Sequence, residues 1–102
     1  MGVGMQIAYF GFAGSARIEA EASVQLMRLG RFDGKIANCL LVVEALHESD
    51  GRTLYDARLD LLARGRESMP NMRCTHANAL VAIRHAFDVA EALLLRARLD
   101  ES

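Results

Sequence analysis

Nothing in these 102 residues is long enough, basic enough or rich enough in cysteine to place the chain in a specialised class. No apolar run approaches the roughly 18 residues of a membrane span, so no membrane is expected among its partners. The opening Met1-Gly2-Val3-Gly4-Met5 has no basic start and no cleavable apolar stretch, and no signal peptide is read there. The two cysteines, Cys39 and Cys74, fall inside expected strands, where reduced, buried thiols are the ordinary state. A bond between them stays open if those strands are neighbours. There is no internal repeat, linker or low-complexity tract. Neither acids nor bases predominate: the net charge is −1, the pI is about 6.3, and no block of like charge occurs. Nucleic-acid binders usually show a basic stripe or a high pI, and this chain shows neither. Its 12 basic residues are arginines except for Lys35, a bias toward bidentate pairing with phosphate or carboxylate.

What remains is one soluble domain, residues 1–102, with 52% apolar and 25% charged residues, enough for a single core without staples. Ile36–His47 (IANCLLVVEALH) is an apolar, β-branched run. The turn cluster Glu48-Ser49-Asp50-Gly51 follows, and then Leu54–Arg64 alternates with a period of two. Tyr55, Ala57, Leu59, Leu61 and Ala63 point one way, while Asp56, Arg58, Asp60 and Arg64 point the other. That pattern around Asp-Gly is a hairpin with one buried face. Met5–Phe12 reads as a first strand stopped by Gly11. Ser15 is placed as the N-cap of a helix over Ala16–Leu29, with Gly30 as its C′ residue. Asp33-Gly34 then turns the chain into the long strand. Ser68–His76, with Pro70 at its start, reads as an edge strand. A last helix runs from the cap Asn78 to Leu99 on the stripe Leu80, Ile83, Phe87, Ala90, Leu94 and Ala97, with Arg84, Asp88, Glu91 and Arg98 on its flank. The order β-α-β-β-β-α makes an α+β two-layer sandwich, a four-stranded sheet with two helices on one face. A parallel first strand beside the second would need a right-handed crossover.

The candidate chemistry is sparse. Cys74-x-His76 lacks the second ligand pair of a zinc site, so no metal is expected. His85 and Asp88 are spaced to pair on a helix, but no glycine-framed nucleophile accompanies them. Neither Gly2-Val3-Gly4 nor Gly11-Phe12-Ala13-Gly14 has the spacing of a phosphate cradle. Asp56 and Asp60 flank Arg58, which suits cross-strand ion pairing better than acid–base work. No catalytic residue and no cofactor is assigned, and the chain is not read as an enzyme. The second strand is apolar on both parities: Leu40, Val42 and Leu46 against Cys39, Leu41, Val43 and Ala45. Leu54 and Leu62 extend the outer side. Helices cover one face only, so the outer face is either shielded by long Arg and Glu stems or a partner surface. Leu93 and Leu95 flank the core residue Leu94 and leave a helix-side contact.

Several landmarks together resemble the ribosome hibernation-promoting factors (ribosome-associated inhibitor, sigma-54 modulation-like proteins). They are the opening Met5-Gln6-Ile7, the helix exit Arg31-Phe32-Asp33-Gly34, Asn38-Cys39-Leu40-Leu41-Val42-Val43-Glu44, the alternating third strand, and Asn78-Ala79-Leu80-Val81-Ala82-Ile83. The chain is similar to the short form of that family. Leu80 stands where the family usually has Tyr, Arg84 where it usually has Asp, and Asp88–Leu95 lacks the family's repeated basic residues. A double-stranded RNA-binding domain has a related outline, but it lacks the opening strand and would begin its last helix with lysines rather than His76-Ala77-Asn78-Ala79.

The resemblance implies a cytoplasmic, ribosome-associated regulator of translation that needs no cofactor and binds the small ribosomal subunit in its decoding region. The residues expected to touch rRNA phosphates are Arg28, Arg31 and Lys35 from the first helix and its exit, with Arg84, Arg96 and Arg98 from the last. The alternative is a divergent relative without RNA binding, a protein-interaction module or a homo-oligomer through the apolar sheet face. An enzyme or ligand-binding domain is the third and weakest reading.

Overall fold

A computed structural model describes residues 4–32, 34–63 and 72–101, without the side chains of 63 and 97–101. The apolar run forms the 12-residue strand β2 (Ile36–His47) under the numbering in which β1 is Gly4–Phe10, β3 is Thr53–Ala63 and β4 is Met72–His76. The sheet order is β1-β2-β3-β4, with β1 parallel to β2 and the other pairs antiparallel. Helices α1 (Ala16–Leu29) and α2 (Ala79–Glu101) supply the second layer. The order β-α-β-β-β-α and the two-layer α+β architecture are as the patterning implied.

Alternation decides which residues enter the core. Cys39, Leu41 and Val43 of β2 lie opposite Leu61, Leu59 and Ala57 of β3, and all six are buried. One irregularity adjusts this: Ile36 pairs with Ala63 but Asn38 with Leu62, so β2 carries an extra residue there. The bulge lets Ile36, of the opposite parity to Cys39, also reach full burial. From the helices come Ile18, Ala22 and Leu29 of α1 and Ala82, Ile83, Ala86, Phe87, Ala90 and Leu94 of α2. Alanine every fourth residue of α2 lets its backbone come close to its neighbours, while Phe87 fills the volume between.

The helix starts follow their expected chemistry. Ser15 Oγ accepts the Ile18 N–H at 3.2 Å, and Asn78 Oδ1 accepts those of Leu80 and Val81 at 2.9 and 3.3 Å. At two glycines the structure departs from the sequence reading. β1 ends at Phe10, because Gly11 takes φ +83° and turns the chain; Phe12 then packs edge-on against Tyr9 and Tyr55. Gly30 does not adopt the left-handed C′ conformation. At φ −59° it continues into a 3₁₀ turn, Gly30–Phe32, which swings Phe32 into the core. In the β2–β3 loop only Gly51 has positive φ, so Asp50-Gly51 is not a two-residue I′ turn. Glu48 N–H instead bonds Arg52 O at 2.8 Å around a longer loop. Asp33, residues 64–67 and the expected first part of the fourth strand, 68–71, lie outside the described residues.

Candidate functional site

Both helices begin at the same end of the sheet. β1 leads into α1 beside Glu44, and β4 leads into α2 beside Tyr55, positions adjacent in the β2–β3 register. The helices therefore run parallel, and ion pairs climb their seam in matching order. Arg84 reaches Glu21 at 2.9 Å, Arg28 reaches Asp88 at 2.8 Å and Glu91 at 2.7 Å, and Arg31 reaches Glu91 at 2.9 Å. The hydrogen bond from Arg28, with Arg31 nearby, holds the Glu91 carboxyl below its ordinary range; those from Arg84 and Gln25 do the same for Glu21. Arg28 is held above its ordinary value by Glu91 and Asp88 in turn.

Three of the six residues expected to touch phosphate, Arg28, Arg31 and Arg84, are thus brought together along one seam. Each is engaged by a carboxylate, so Glu21, Asp88 and Glu91 offset their charge. The seam is not an open cationic groove. Lys35 lies half-buried at the entry to β2, its backbone N–H bonded to Phe32 O at 2.8 Å. Arg96 is exposed further along α2 and makes no ion pair among the described residues, and the Arg98 side chain lies outside them.

Sequence reasoning passed over Arg17. It is exposed, has no ionic partner among the described residues, and lines a hollow of about 400 Å³ at the shared starting end of the helices. Phe12 and Tyr55 also line this hollow, with the capping residues Ser15 and Asn78. The signal available was modest: a lone arginine directly after a helix cap. His76 and His85 pack edge-on nearby, with ring centroids 6.1 Å apart. His85 does not take up Asp88, which goes to Arg28 instead.

Cys39 and Cys74 are free thiols on β2 and β4, with β3 between them, so the strands are not neighbours. Burial pushes the Cys39 thiol up to about 11, and Cys74 shifts the same way, first by burial and then by the nearby Asp56 and Asp88 carboxylates. Among the described residues no group of three or more His, Cys, Asp or Glu side chains is arranged to hold a metal ion. No described helix is long and apolar enough to cross a membrane.

On the outer sheet face Asp56 is 4% exposed and accepts from Arg73 at 2.8 Å and from Thr75 at 3.0 Å, a cross-strand pairing. Arg58 and Asp60 approach only to 3.8 Å. Val42, although on this uncovered face, is 8% exposed, whereas Leu62 remains 62% exposed. Shielding by neighbouring side chains therefore closes the middle of the face, with Leu62 left open on β3.

No protein-family model matches the sequence, and a comparison with curated proteins finds no significant match. The fold, by contrast, is shared end to end with solved structures. It is similar to the N-terminal domain of Protein Y from Thermus thermophilus, at a TM-score of 0.72 and 17% identity, covering 94% of this chain and 98% of that one. It is also similar to a ribosomal subunit interface protein from Coxiella burnetii, at a TM-score of 0.74 and 14% identity, covering 95% and 99% of the two chains. The resemblance read from the sequence landmarks holds at the level of the fold.

Proposed function

We propose that the chain is a ribosome-associated, translation-regulating factor of the hibernation type, acting in the cytoplasm on the small ribosomal subunit. The observation that carries this reading is the fold match over almost the full length of both partners, one of them a ribosomal subunit interface protein. One fold hosts many functions, so the site has to supply the chemistry. Arg28, Arg31, Lys35, Arg84, Arg96 and Arg98 remain the proposed contacts to rRNA phosphates, and Arg17 joins them. Contact by the seam arginines requires exchanging a carboxylate for a phosphate, because Glu21, Asp88 and Glu91 already occupy three of them. Affinity should therefore be modest and should fall with salt, since each neutralised phosphate adds to the salt slope.

The experiment is co-sedimentation with 30S and 70S particles in sucrose gradients at about 50 and about 200 mM salt. The expected result is association at the lower salt that weakens at the higher. A chain that stays at the top of the gradient even at low salt sinks the proposal. The neutralised seam favours a second reading, a protein-interaction or self-associating module without RNA binding that uses the apolar sheet face. Under that reading Leu40→Glu would disperse an oligomer, and ribosomes would not carry the chain down.

A further inference from the structure

Strand β1 stands apart from the rest of the sheet in two ways. It is an edge strand, with β2 on one side and, among the described residues, no strand on the other. Its sequence, Gly4-Met5-Gln6-Ile7-Ala8-Tyr9-Phe10, contains no charged residue and no proline. Exposed edges carry unpaired backbone N–H and C=O groups, and natural proteins usually guard them with charge, proline, bulges or short strands. The other edge, β4, is guarded in that manner: it is five residues long and carries Arg73, with Pro70 just before it in the sequence. β1 is seven residues long and pairs with β2 in unbroken register from Gly4 to Phe10.

Burial makes the same point. None of the seven β1 residues is fully buried, although Met5, Ile7 and Tyr9 face the core and pack against it. Phe10 is 55% exposed. Apolar side chains left half open at a sheet edge gain contact from something lying alongside, and an exposed edge is a ready template for a further strand.

We infer that the β1 edge is a self-pairing surface, on which β1 of a second copy adds antiparallel to join two four-stranded sheets into one of eight. The case for a second copy is self-complementarity about a twofold axis through Ile7. Met5 then meets the partner copy's Tyr9 and Ile7 meets Ile7 on the helical side, apolar against apolar. Gln6 meets Ala8 on the outer side. Gly4 meets Phe10, whose ring covers backbone that glycine leaves bare. Every cross-strand pair is one that sheets favour or tolerate, with no like charges opposed. An isologous twofold contact of this kind closes on itself, so it makes dimers rather than fibres. The small net charge of −1 raises little barrier between copies. Seven residue pairs make a small interface, so the association is weak and shows at high protein concentration. The inference holds whether or not the chain binds ribosomes.

The test is molar mass by light scattering or sedimentation equilibrium across protein concentration, for the wild type, the double variant Gln6→Lys/Ala8→Lys, and Leu62→Lys. In the proposed register the double variant sets lysine against lysine at two places, raising the dissociation constant about tenfold or more. Leu62→Lys, on the outer side of β3, leaves it unchanged. A wild type that stays monomeric up to about millimolar concentration overturns the inference, as does a dimer indifferent to the double variant. Hydrogen exchange on the unaltered protein gives an independent reading. Amide protection in β1 that rises with concentration supports edge pairing, and protection that does not change counts against it.

Discussion

Replacing Glu91 with glutamine tests the seam from two directions at once. Glu91 takes Arg28 at 2.7 Å and Arg31 at 2.9 Å, so one uncharged isostere weakens two ion pairs. Part-exposed pairs of this kind contribute about 0.2–1 kcal/mol each, which puts the cost near 1 kcal/mol. For a domain of this size that corresponds to a fall in Tm of about 4–8 °C. The pH dependence follows from the sign of the shift. Glu91 titrates below its ordinary value of 4.5 in the folded chain, so the unfolded chain binds its proton first. Its stabilising contribution is complete above the ordinary carboxyl range and is lost as pH falls through the lowered folded value. Wild-type and Glu91→Gln melting curves should therefore differ at neutral pH and converge in acid. The same substitution frees the Arg31 guanidinium, while Arg28 keeps its pair with Asp88. If Arg31 then reaches an rRNA phosphate, 30S pelleting should improve at low salt, and its salt slope should steepen by about 0.7 for one single-strand phosphate. A Tm gap that ignores pH refutes the ion-pair account. A destabilised variant whose ribosome binding and salt slope match the wild type refutes the assignment of Arg31.

Three further expectations come from particular positions. Gly14 has φ +78°, and an added Cβ would lie 2.6 Å from the Tyr9 ring, whereas Gly51 has φ +90° with open space around it. Gly51→Ala should cost about 1–2 kcal/mol for backbone conformation alone and Gly14→Ala clearly more, as measured by urea unfolding; equal costs would mean that the Tyr9 contact is unimportant. With its thiol raised to about 11 by burial, Cys39 should resist thiol reagents at neutral pH until the chain unfolds, while half-buried Cys74 reacts sooner; mass spectrometry of the labelled peptides reads the order. Arg17→Ala with Arg96→Ala removes two cations that have no ionic partner among the described residues, so 30S pelleting should weaken while Tm stays within about a degree or two.

The elements that could be read from the sequence are those whose period is strong over many residues. β2 and the hairpin were legible because alternation over Tyr55–Ala63 sorts one face from the other, and α1 because Ser15 caps a stripe that ends at Leu29. Where local chemistry competes, the reading slipped. Gly11 ends β1 two residues before the apolar pattern does, and Gly30 lies in a right-handed turn because Phe32 must reach the core. Ala82 and Ala86 escaped notice since alanine contrasts weakly with its neighbours on any hydropathy scale, yet both are fully buried. The seam was half legible. The spacing of Arg84, Asp88 and Glu91 puts them on one flank of α2, and that of Glu21 and Arg28 does the same on α1. That the two flanks meet depends on the parallel setting of the helices, which no single-helix period encodes.

This setting gives the arginines two kinds of work. Parallel helices place like ends of their dipoles side by side, an arrangement that gains nothing from dipole pairing and must be held by contacts along the seam. Arg28, Arg31 and Arg84 provide such contacts, each bonded to a carboxylate on the facing helix, which makes them structural whatever else they do. A nucleic acid drawing on them would compete with the protein's own acids, one phosphate for each carboxylate displaced. Arg17 at the start of α1 and Arg96 late in α2 face no such competitor among the described residues. Among the described residues of the helical layer, the arginines without an ionic partner therefore stand toward its two ends and the paired ones along its middle. That order inverts the one expected from counting basic residues along the sequence, where Arg28, Arg31 and Lys35 cluster.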